Sequence, residues 1–343
     1  MDISKQTQGT TDAHGIERKA PMVLTDPTDD LPKFKDLPLD PSHPPHSAWF
    51  LWGKDDQLGC LNHLTPERVV AAAKEIQTGT SVGLNWEMHQ MSSPPPYRST
   101  LKHEIFSIGG QFLDDRVEFN TQTSSQWDSF RHCAYPDGRL YNGVMQNEVR
   151  TTPVSKDSRN GIHEWAKKGI VGRGILIDFY AYAEENGIEY DAWSYYEITV
   201  QQIKEIAQVR GITFKAGDIL YLRTGFTQKY ESLPEEEVAE RMGQSQYFYP
   251  GLHGSLESLE WLWDSRFAAV ASDCPGFEAW GPGHMTMHEY ILAGFGMPIG
   301  ELFDLEDLAE QCKKHNRWTF FVSSEPLNVI GGVGSPPNAV AVF

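Results

Sequence analysis

The sequence has few cysteines and no long apolar run. Its 343 residues include four cysteines, and none of them forms a CxxC pair. A disulfide framework needs a denser cysteine pattern, so we expect reduced thiols and a cytoplasmic protein. No run of eighteen apolar residues occurs, and the first fifteen residues contain no apolar signal segment. These absences argue against a membrane span and against a secretory signal.

Basic residues are also in short supply. Lysine and arginine total 29 against 47 acidic residues, which gives a formal net charge of −18. A nucleic-acid surface needs a basic face, and an anionic membrane attracts basic segments. The charge balance therefore predicts neither a nucleic-acid partner nor a membrane partner.

Several motifs of common enzyme classes are missing. There is no GxSxG, no P-loop, no GxGxxG after a strand and no HExxH, which disfavours ordinary serine hydrolases, nucleotide-binding proteins and zincins. The segment "HMTMH" places His284 and His288 four residues apart, on one face if it is helical. That spacing can bind zinc, but the pair alone is a weak signal.

Apolar patterning predicts one α/β domain with a mixed sheet. Residues 1–40 are polar and then proline-rich, as in a flexible arm, and 41–343 form the predicted catalytic domain. A helix is predicted over 65–79, where Thr65 can cap the helix and Pro66 suits its first position. Nearly continuous apolar runs predict buried strands. These runs are "GRGILIDFYAY", "AGDILYLRTGF" and "FAAVASDC"; shorter strands are predicted in the middle of the chain, including "LYNGVM".

The stretch 122–132, "QTSSQWDSFRH", concentrates polar side chains. In an extended strand its even-numbered residues share one face, including Asp128 and His132. These two lie about 13 Å apart along a straight strand, so they can meet only if the chain bends after Asp128. The pattern alone leaves open a solvated sheet face and an active-site strand.

This stretch resembles the motif HxGTHxDxPxH of the cyclase or kynurenine-formamidase-like family of metal-dependent hydrolases. Further similar segments follow in the same order across about residues 49–343. They include "WGKDDQLGCLNHLTPE", "GDILYLRTG", "AAVASDCPGFE", "HEYILAGFGMPIGELFDLEDL" and "EPLNVIGGVGSPPNAVA". The resemblance implies a compact domain around a central barrel-like sheet flanked by helices, assembled as a homodimer or homotetramer. It also implies hydrolysis of an amide, lactam or lactone in a small-molecule substrate, with zinc or manganese as cofactor.

The resemblance assigns roles position by position. Asp128 and His132 match the motif, and "HEYILAGFGMPIGE" supplies His288 and Glu301. The spacing in that segment is one residue longer than the family pattern, so the register of Glu289 stays open. The implied metal ligands are Asp128, His288 and Glu301, and the implied acid/base is His132.

Glutamine replaces both motif histidines, at Gln122 and Gln126. A neutral amide oxygen is a poorer zinc ligand than imidazole. One reading keeps a single weakly held divalent metal, with Gln126 orienting its water. The other, which we favour, runs without a tight metal: acid/base chemistry by Asp128, His132 and His288, with Gln126 donating to an oxyanion. That arrangement suits cyclisation or dehydration better than amide hydrolysis.

Two further expectations concern the surroundings of the site. Gln122, Trp127, Phe130 and Tyr141 are expected to bind substrate, although core packing is an alternative for the aromatic residues. The loss of both histidines also leaves a second hypothesis, a catalytically silent relative that binds a ligand or scaffolds a partner.

Overall fold

The computed structural model describes residues 10–11, 17–18, 31–92, 94, 98–150, 158–244 and 248–343. The chain divides into two units, Met1–Pro32 and Lys33–Phe343. In the first unit, strands β1 (Thr10–Thr11) and β2 (Glu17–Arg18) pair antiparallel. Most of the predicted arm over 1–40 lies outside the described residues, so its boundary stays a prediction.

The second unit is a mixed α/β domain. Its strands are β3 (Ser81–Gly83), β4 (Lys102–Gly109), β5 (Phe112–Glu118), β6 (Gln126–Asp128), β7 (Ile170–Asp178), β8 (Glu197–Ile198), β9 (Ile219–Arg223), β10 (Gly251–Leu252), β11 (Ala269–Ser272), β12 (Ile299–Glu301), β13 (Thr319–Ser324), β14 (Gly334–Ser335) and β15 (Ala339–Val342). Its α-helices are α1 (Pro66–Ala72), α2 (Gln146–Val149), α3 (His163–Lys168), α4 (Phe179–Asn186), α5 (Val200–Arg210), α6 (Phe226–Ser232), α7 (Glu235–Met242), α8 (Leu256–Asp264) and α9 (Glu306–His315). Short 3₁₀-helices and a π-helix, Glu289–Phe295, complete it.

Among the described residues, nine strands form the central sheet, in the order β14-β6-β12-β11-β9-β7-β13-β15-β3. The four inner strands β12, β11, β9 and β7 run parallel, and the strands on both flanks pair antiparallel. The sheet curls into a half-barrel flanked by helices, and α1, α5 and α9 pack against β7. This confirms the predicted fold class.

The apolar runs that were predicted to be buried strands form β7, β9 and β11 of the central sheet. β7, β9 and β11 are buried along most or all of their length, as strands covered on both faces should be. Thr65 caps α1 through its side chain, which accepts a hydrogen bond from the amide of Arg68, and Pro66 is the first helical residue. The buried strands and the start of α1 are confirmed, whereas the helix predicted to run to residue 79 ends at Ala72 and is followed by a 3₁₀ turn, Ala73–Glu75.

Two local predictions are wrong. The segment "LYNGVM", predicted as a strand, instead contains a short 3₁₀-helix at Tyr141–Gly143. The reason is that Asn142 adopts a φ of 54° and its side-chain amide forms hydrogen bonds with the backbone of residues 50–56. The polar stretch is a strand only at Gln126–Asp128. Asn120 and Ser129 bond nearby backbone amides, which favours turns on both sides of β6.

Glycine lets the site strands pack closely. Gly300 lies in the middle of β12, between β6 and β11. A Cβ at this position would lie 2.6 Å from the Phe303 ring and 2.7 Å from Ala271 Cβ. Only glycine therefore allows β12 to approach its neighbours this closely. None of the helices in the described part of the chain is long and apolar enough to cross a membrane.

Candidate active site

The antiparallel pairing of β6 with β12 sets the register of the site. Gln126 pairs directly with Glu301, and Asp128 pairs with Ile299. Because strand side chains alternate, Gln126 and Asp128 point to one face and Trp127 to the other. The amide Nε2 of Gln126 donates to Glu301 Oε2 over 2.5 Å. The two predicted residues are thus joined by a cross-strand hydrogen bond.

The turn after β6 brings His132 back to Asp128. The amide of His132 donates to the carbonyl of Ser129 over 3.0 Å. His132 Nε2 consequently lies 3.7 Å from Asp128 Oδ2. The bend that the sequence required for these two residues to meet is present.

Gln122 connects the same two residues. Its Nε2 donates to Asp128 Oδ1 and lies 2.8 Å from His132 Nδ1. Arg98 fixes the amide orientation, because its guanidinium donates to Gln122 Oε1 at 3.4 Å and to the Gln122 carbonyl at 2.5 Å. With Nε2 as the donor, His132 Nδ1 is the acceptor, which assigns the ring tautomer.

His288 sits between two buried carboxylates. Its Nδ1 lies 2.7 Å from Glu278 Oε1, and its Nε2 lies 3.0 Å from Glu301 Oε1. Glu278 also accepts the backbone amide of Met287 over 2.9 Å. Ionised carboxylates only accept hydrogen bonds, so a ring that bridges two of them donates from both nitrogens.

The electrostatics agree with this geometry. Burial lowers the pKa of His288, but the carboxylates of Glu278 and Glu301 raise it by more, so the net pKa is well above its ordinary value. Burial opposes ionisation of Glu278, yet His288 lowers the pKa of that carboxyl overall. Burial and neighbouring Asp128 raise the pKa of Glu301. The arrangement therefore favours an imidazolium at His288.

The cluster is buried except on the side of His132. Gln126, Asp128 and Glu278 are fully buried, whereas the His132 side chain is 27% exposed and that of His288 is 12% exposed. A small molecule that reaches the cluster from solvent would meet His132 first.

The predicted aromatic residues lie in the core. Trp127 packs on Phe303 and its Nε1 donates to Ser324 Oγ over 2.9 Å. Phe130 packs against Tyr141, whose hydroxyl donates to the Asp56 carboxylate over 2.9 Å. All three predicted aromatic side chains are fully buried, so packing is their visible role.

Other side chains near the site do not join the hydrogen-bonded cluster. His284 packs against Trp280 with the two rings tilted by 46°, and its Nδ1 lies 2.5 Å from the Gly281 carbonyl oxygen. Asp273 accepts hydrogen bonds at the start of α6. Burial raises the pKa of the Cys133 thiol to about 11, which disfavours a thiolate nucleophile at neutral pH.

Two residues that contact the site, Glu278 and Arg98, were not predicted from the sequence. Glu278 ends the quoted segment "AAVASDCPGFE", after a buried strand, and its contact with His288 spans ten residues through a loop. Arg98, which orients Gln122, carries no motif signal at all. The usable signal for Glu278 was its position after the buried strand β11, because residues that follow strand ends commonly line functional sites.

Three side chains of the cluster could each offer a ligand atom to a metal ion. These atoms, from Asp128, His132 and His288, lie within 4.8 Å of one another. The set differs from the predicted one, which had Glu301 in place of His132. Asp128 Oδ2 and Gln126 Oε1 are buried without a hydrogen-bond partner among the described residues, so two oxygen atoms remain available.

The donor chemistry nevertheless argues against a tightly held metal. A ligating imidazole must be neutral and must use a free lone pair. Both ring nitrogens of His288 face carboxylates, and Glu301 is already bonded by Gln126 and His288. Gln122 and Gln126 occupy the two positions at which the motif resemblance implies histidine ligands, and the Nε2 of each donates to a carboxylate. The residues therefore do not fit the metal centre that the resemblance implies.

Comparisons with known proteins agree with the motif resemblance. A protein-family model described as "Putative cyclase" matches residues 36–279. A solved structure described as a novel cyclase is 30% identical, with a TM-score of 0.78 over 87% of this chain and 99% of that chain. A comparison with curated proteins found no match.

More distant solved structures share the fold. Isatin hydrolase A from Ralstonia solanacearum is 19% identical, with a TM-score of 0.55 over 81% of this chain and 98% of that chain. An isatin hydrolase bound to the product analogue thioisatinate is 15% identical, with a TM-score of 0.54 over 81% of this chain and 99% of that chain. At these identities the likeness is one of fold.

Proposed function

Because the chain belongs to this cyclase family, we propose that it is a small-molecule enzyme that opens or closes a lactone or an activated lactam by acid–base catalysis. The observation that supports this most directly is the continuous polar cluster in which His132–Asp128 lies beside Glu278–His288–Glu301. A scaffold has no need for a buried imidazole between two carboxylates. Such groups are costly to bury and are common at catalytic sites.

Asp128, whose Oδ2 has no hydrogen-bond partner among the described residues, is proposed as the general base, and His132 as the general acid. Gln122 holds its Nδ1 as an acceptor, and Asp128 lies near its Nε2. In ring opening, Asp128 takes a proton from water while the water oxygen bonds to the substrate carbonyl carbon. The carbon–oxygen bond of the lactone, or the carbon–nitrogen bond of the lactam, then breaks, and the leaving atom takes the proton of His132 Nε2. Asp128 returns its proton to that nitrogen to restore the starting state. Ring closure is the same sequence in reverse.

His288 is proposed to stabilise the negative charge that develops on the carbonyl oxygen through its positive charge alone, because both of its N–H groups donate to carboxylates. A buried cation with fixed partners does this without rearrangement. The predicted role of Gln126 as an oxyanion donor receives less support, because its Nε2 already donates to Glu301. We assign Gln126 to holding Glu301 in place.

The substrate class follows from the same geometry. Without a tightly bound metal to polarise the carbonyl, unactivated amides should react slowly. Lactones and ring-strained lactams need less polarisation. We include isatin among the lactams because isatin hydrolases share the fold.

A turnover panel tests the proposed function. Purified protein should hydrolyse at least one lactone or activated lactam, isatin included, faster than it hydrolyses matched open-chain anilides and formamides. Product formation is measured by chromatography. If no compound in the panel reacts while several bind in a thermal-shift assay, the silent ligand-binding alternative is favoured instead.

A further inference from the structure

Gln126 has a second polar atom, Oε1, that takes no part in holding Glu301. The Nε2 atom donates to Glu301 Oε2, and because an ionised carboxylate only accepts hydrogen bonds, the amide oxygen is turned away from that carboxylate. Gln126 is fully buried, and its Oε1 has no hydrogen-bond partner among the described residues. Buried amide oxygens nearly always accept a hydrogen bond, so this atom indicates a bound donor.

Asp128 presents a second such oxygen on the same face of β6. Gln126 and Asp128 are two residues apart in the strand, so their side chains share one face and their Cα atoms lie about 6.7 Å apart. Asp128 is fully buried, and its Oδ2 lies 3.7 Å from His132 Nε2, which is too far for a hydrogen bond. Glu278 Oε2 also lacks a partner among the described residues, but it belongs to the loop after β11 and not to β6.

The described side chains of the cluster do not donate to these two oxygens of β6. Gln122 Nε2 donates to Asp128 Oδ1, and the same nitrogen lies 2.8 Å from His132 Nδ1. Both ring nitrogens of His288 face other carboxylates, and Gln126 Nε2 is bonded across the strand pair. A bound molecule that offers two hydrogen-bond donors would therefore satisfy both oxygens.

We infer that Gln126 Oε1 and Asp128 Oδ2 together hold the attacking water, and that they make the site selective for water over alcohols as the nucleophile. Water offers one O–H group to each oxygen, and its lone pairs then point away from β6. Asp128 removes the proton that it accepts, whereas Gln126 fixes the other hydrogen and with it the direction of attack. This role rests on the proposed function, in which water is the nucleophile.

An alcohol does not satisfy both oxygens. Methanol has one O–H group, and when that group donates to Asp128, the buried oxygen of Gln126 is left without a donor. The steps are otherwise the same. The proton of methanol goes to Asp128, the methoxy oxygen bonds to the carbonyl carbon, the ring bond breaks, and the leaving atom takes the proton of His132. The product is a methyl ester, so the ratio of acid to ester measures the preference for water.

Product ratios in water–methanol mixtures test this role of Gln126. Acting on the panel lactone that it hydrolyses fastest, wild type should prefer water by about tenfold or more after normalisation to the two concentrations. Q126M removes Oε1, and its normalised acid-to-ester ratio should fall roughly 5- to 150-fold. Both products come from the same active molecules, so the ratio does not depend on how much of the variant is folded.

The conservative variant Q126E separates the oxygen from the amide N–H. It loses the donor to Glu301, so its turnover should fall. It keeps an oxygen that can accept from water, so its product ratio should stay near that of wild type. A ratio in Q126E that falls as far as in Q126M would overturn the inference.

A matched control removes another buried oxygen. The hydroxyl of Tyr221 is buried without a hydrogen-bond partner among the described residues, and its ring packs against Phe303 and Phe320. Y221F should keep both the turnover and the product ratio of wild type. Equal ratios in wild type and Q126M, or an equal fall in Y221F, would overturn the inference. So would a Q126M variant that changes only the preference between N–H and N-methyl lactams, because Oε1 would then bind the substrate.

A crystal structure of the unliganded protein gives a readout that does not depend on turnover. It should show an ordered water within about 3.2 Å of both Gln126 Oε1 and Asp128 Oδ2, and Q126M should lack this water. No density at that position, or an ion about 2.1 Å from the oxygens, would overturn the inference. An ordered water in wild type together with a panel that shows no turnover would count against the proposed function alone.

Discussion

Replacing His132 with alanine is expected to lower kcat on the best panel substrate by about 10²–10⁴-fold, the range for loss of a general acid or base. The imidazole is the most exposed group of the cluster, so its removal leaves few buried groups without partners. The thermal midpoint should therefore change little. Steady-state kinetics and thermal unfolding on the same preparation separate the two effects.

The control for His132 is another histidine beside a carboxylate. His89 lies 3.4 Å from Glu87, and its side chain is 72% exposed and outside the cluster. The variant H89A should retain wild-type turnover. Retention of most activity in H132A would contradict the assignment of His132 as the general acid.

Replacing Glu278 with alanine is expected to have the largest effect on stability. The carboxylate is fully buried and holds His288 Nδ1, so its loss leaves a buried imidazolium without its closest partner. Breaking a buried ion pair costs about 3–5 kcal/mol. The free energy of unfolding of E278A, measured in urea, should fall by that order and its turnover should be lost.

The isosteric variant E278Q separates charge from packing. The amide oxygen can still accept from His288 and from the Met287 amide, so the fold should persist. Without the Glu278 carboxylate the pKa of His288 should fall toward its ordinary value. If His288 acts as a cation, turnover is present below that pKa and is lost as pH rises through it. The alkaline limb of the pH–rate profile should thus move to lower pH in E278Q, and an unmoved limb would rule out this role.

The same pKa has a consequence for stability. A raised pKa in the folded state means that His288 stabilises the fold fully below its unfolded value, and that this contribution is lost as pH rises through the folded value. In E278Q this alkaline loss of stability should set in earlier than in wild type. Urea unfolding at several pH values measures it alongside the kinetics.

The sequence predicted the framework of the site better than its contacts. Apolar runs predicted β7, β9 and β11 because strands covered on both faces carry few polar residues. Motif resemblance brought together Asp128, His132, His288 and Glu301, although "QTSSQWDSFRH" is mostly turn rather than strand. The side chains of Asn120 and Ser129 favour these turns by accepting hydrogen bonds from nearby backbone amides. Hydrophobic periodicity contains no signal for such local hydrogen bonds.

Contacts between distant segments were beyond sequence reasoning. Glu278 meets His288 only because a loop after β11 folds back against the start of the π-helix. Trp127, Phe130 and Tyr141 are of residue types that often line ligand pockets, yet tertiary packing buries all three in the core. The exposure of the hairpin formed by β4 and β5 likewise depends on what packs against the two strands, which no local pattern encodes.

His288, held between two carboxylates, is proposed to supply the positive charge for which the motif resemblance implies a metal ion. Metal analysis of the purified, active protein, followed by chelation and dialysis, tests this most directly. We expect less than stoichiometric zinc or manganese and turnover that survives chelation. One bound equivalent of metal, whose removal abolishes turnover and whose return restores it, would contradict the account.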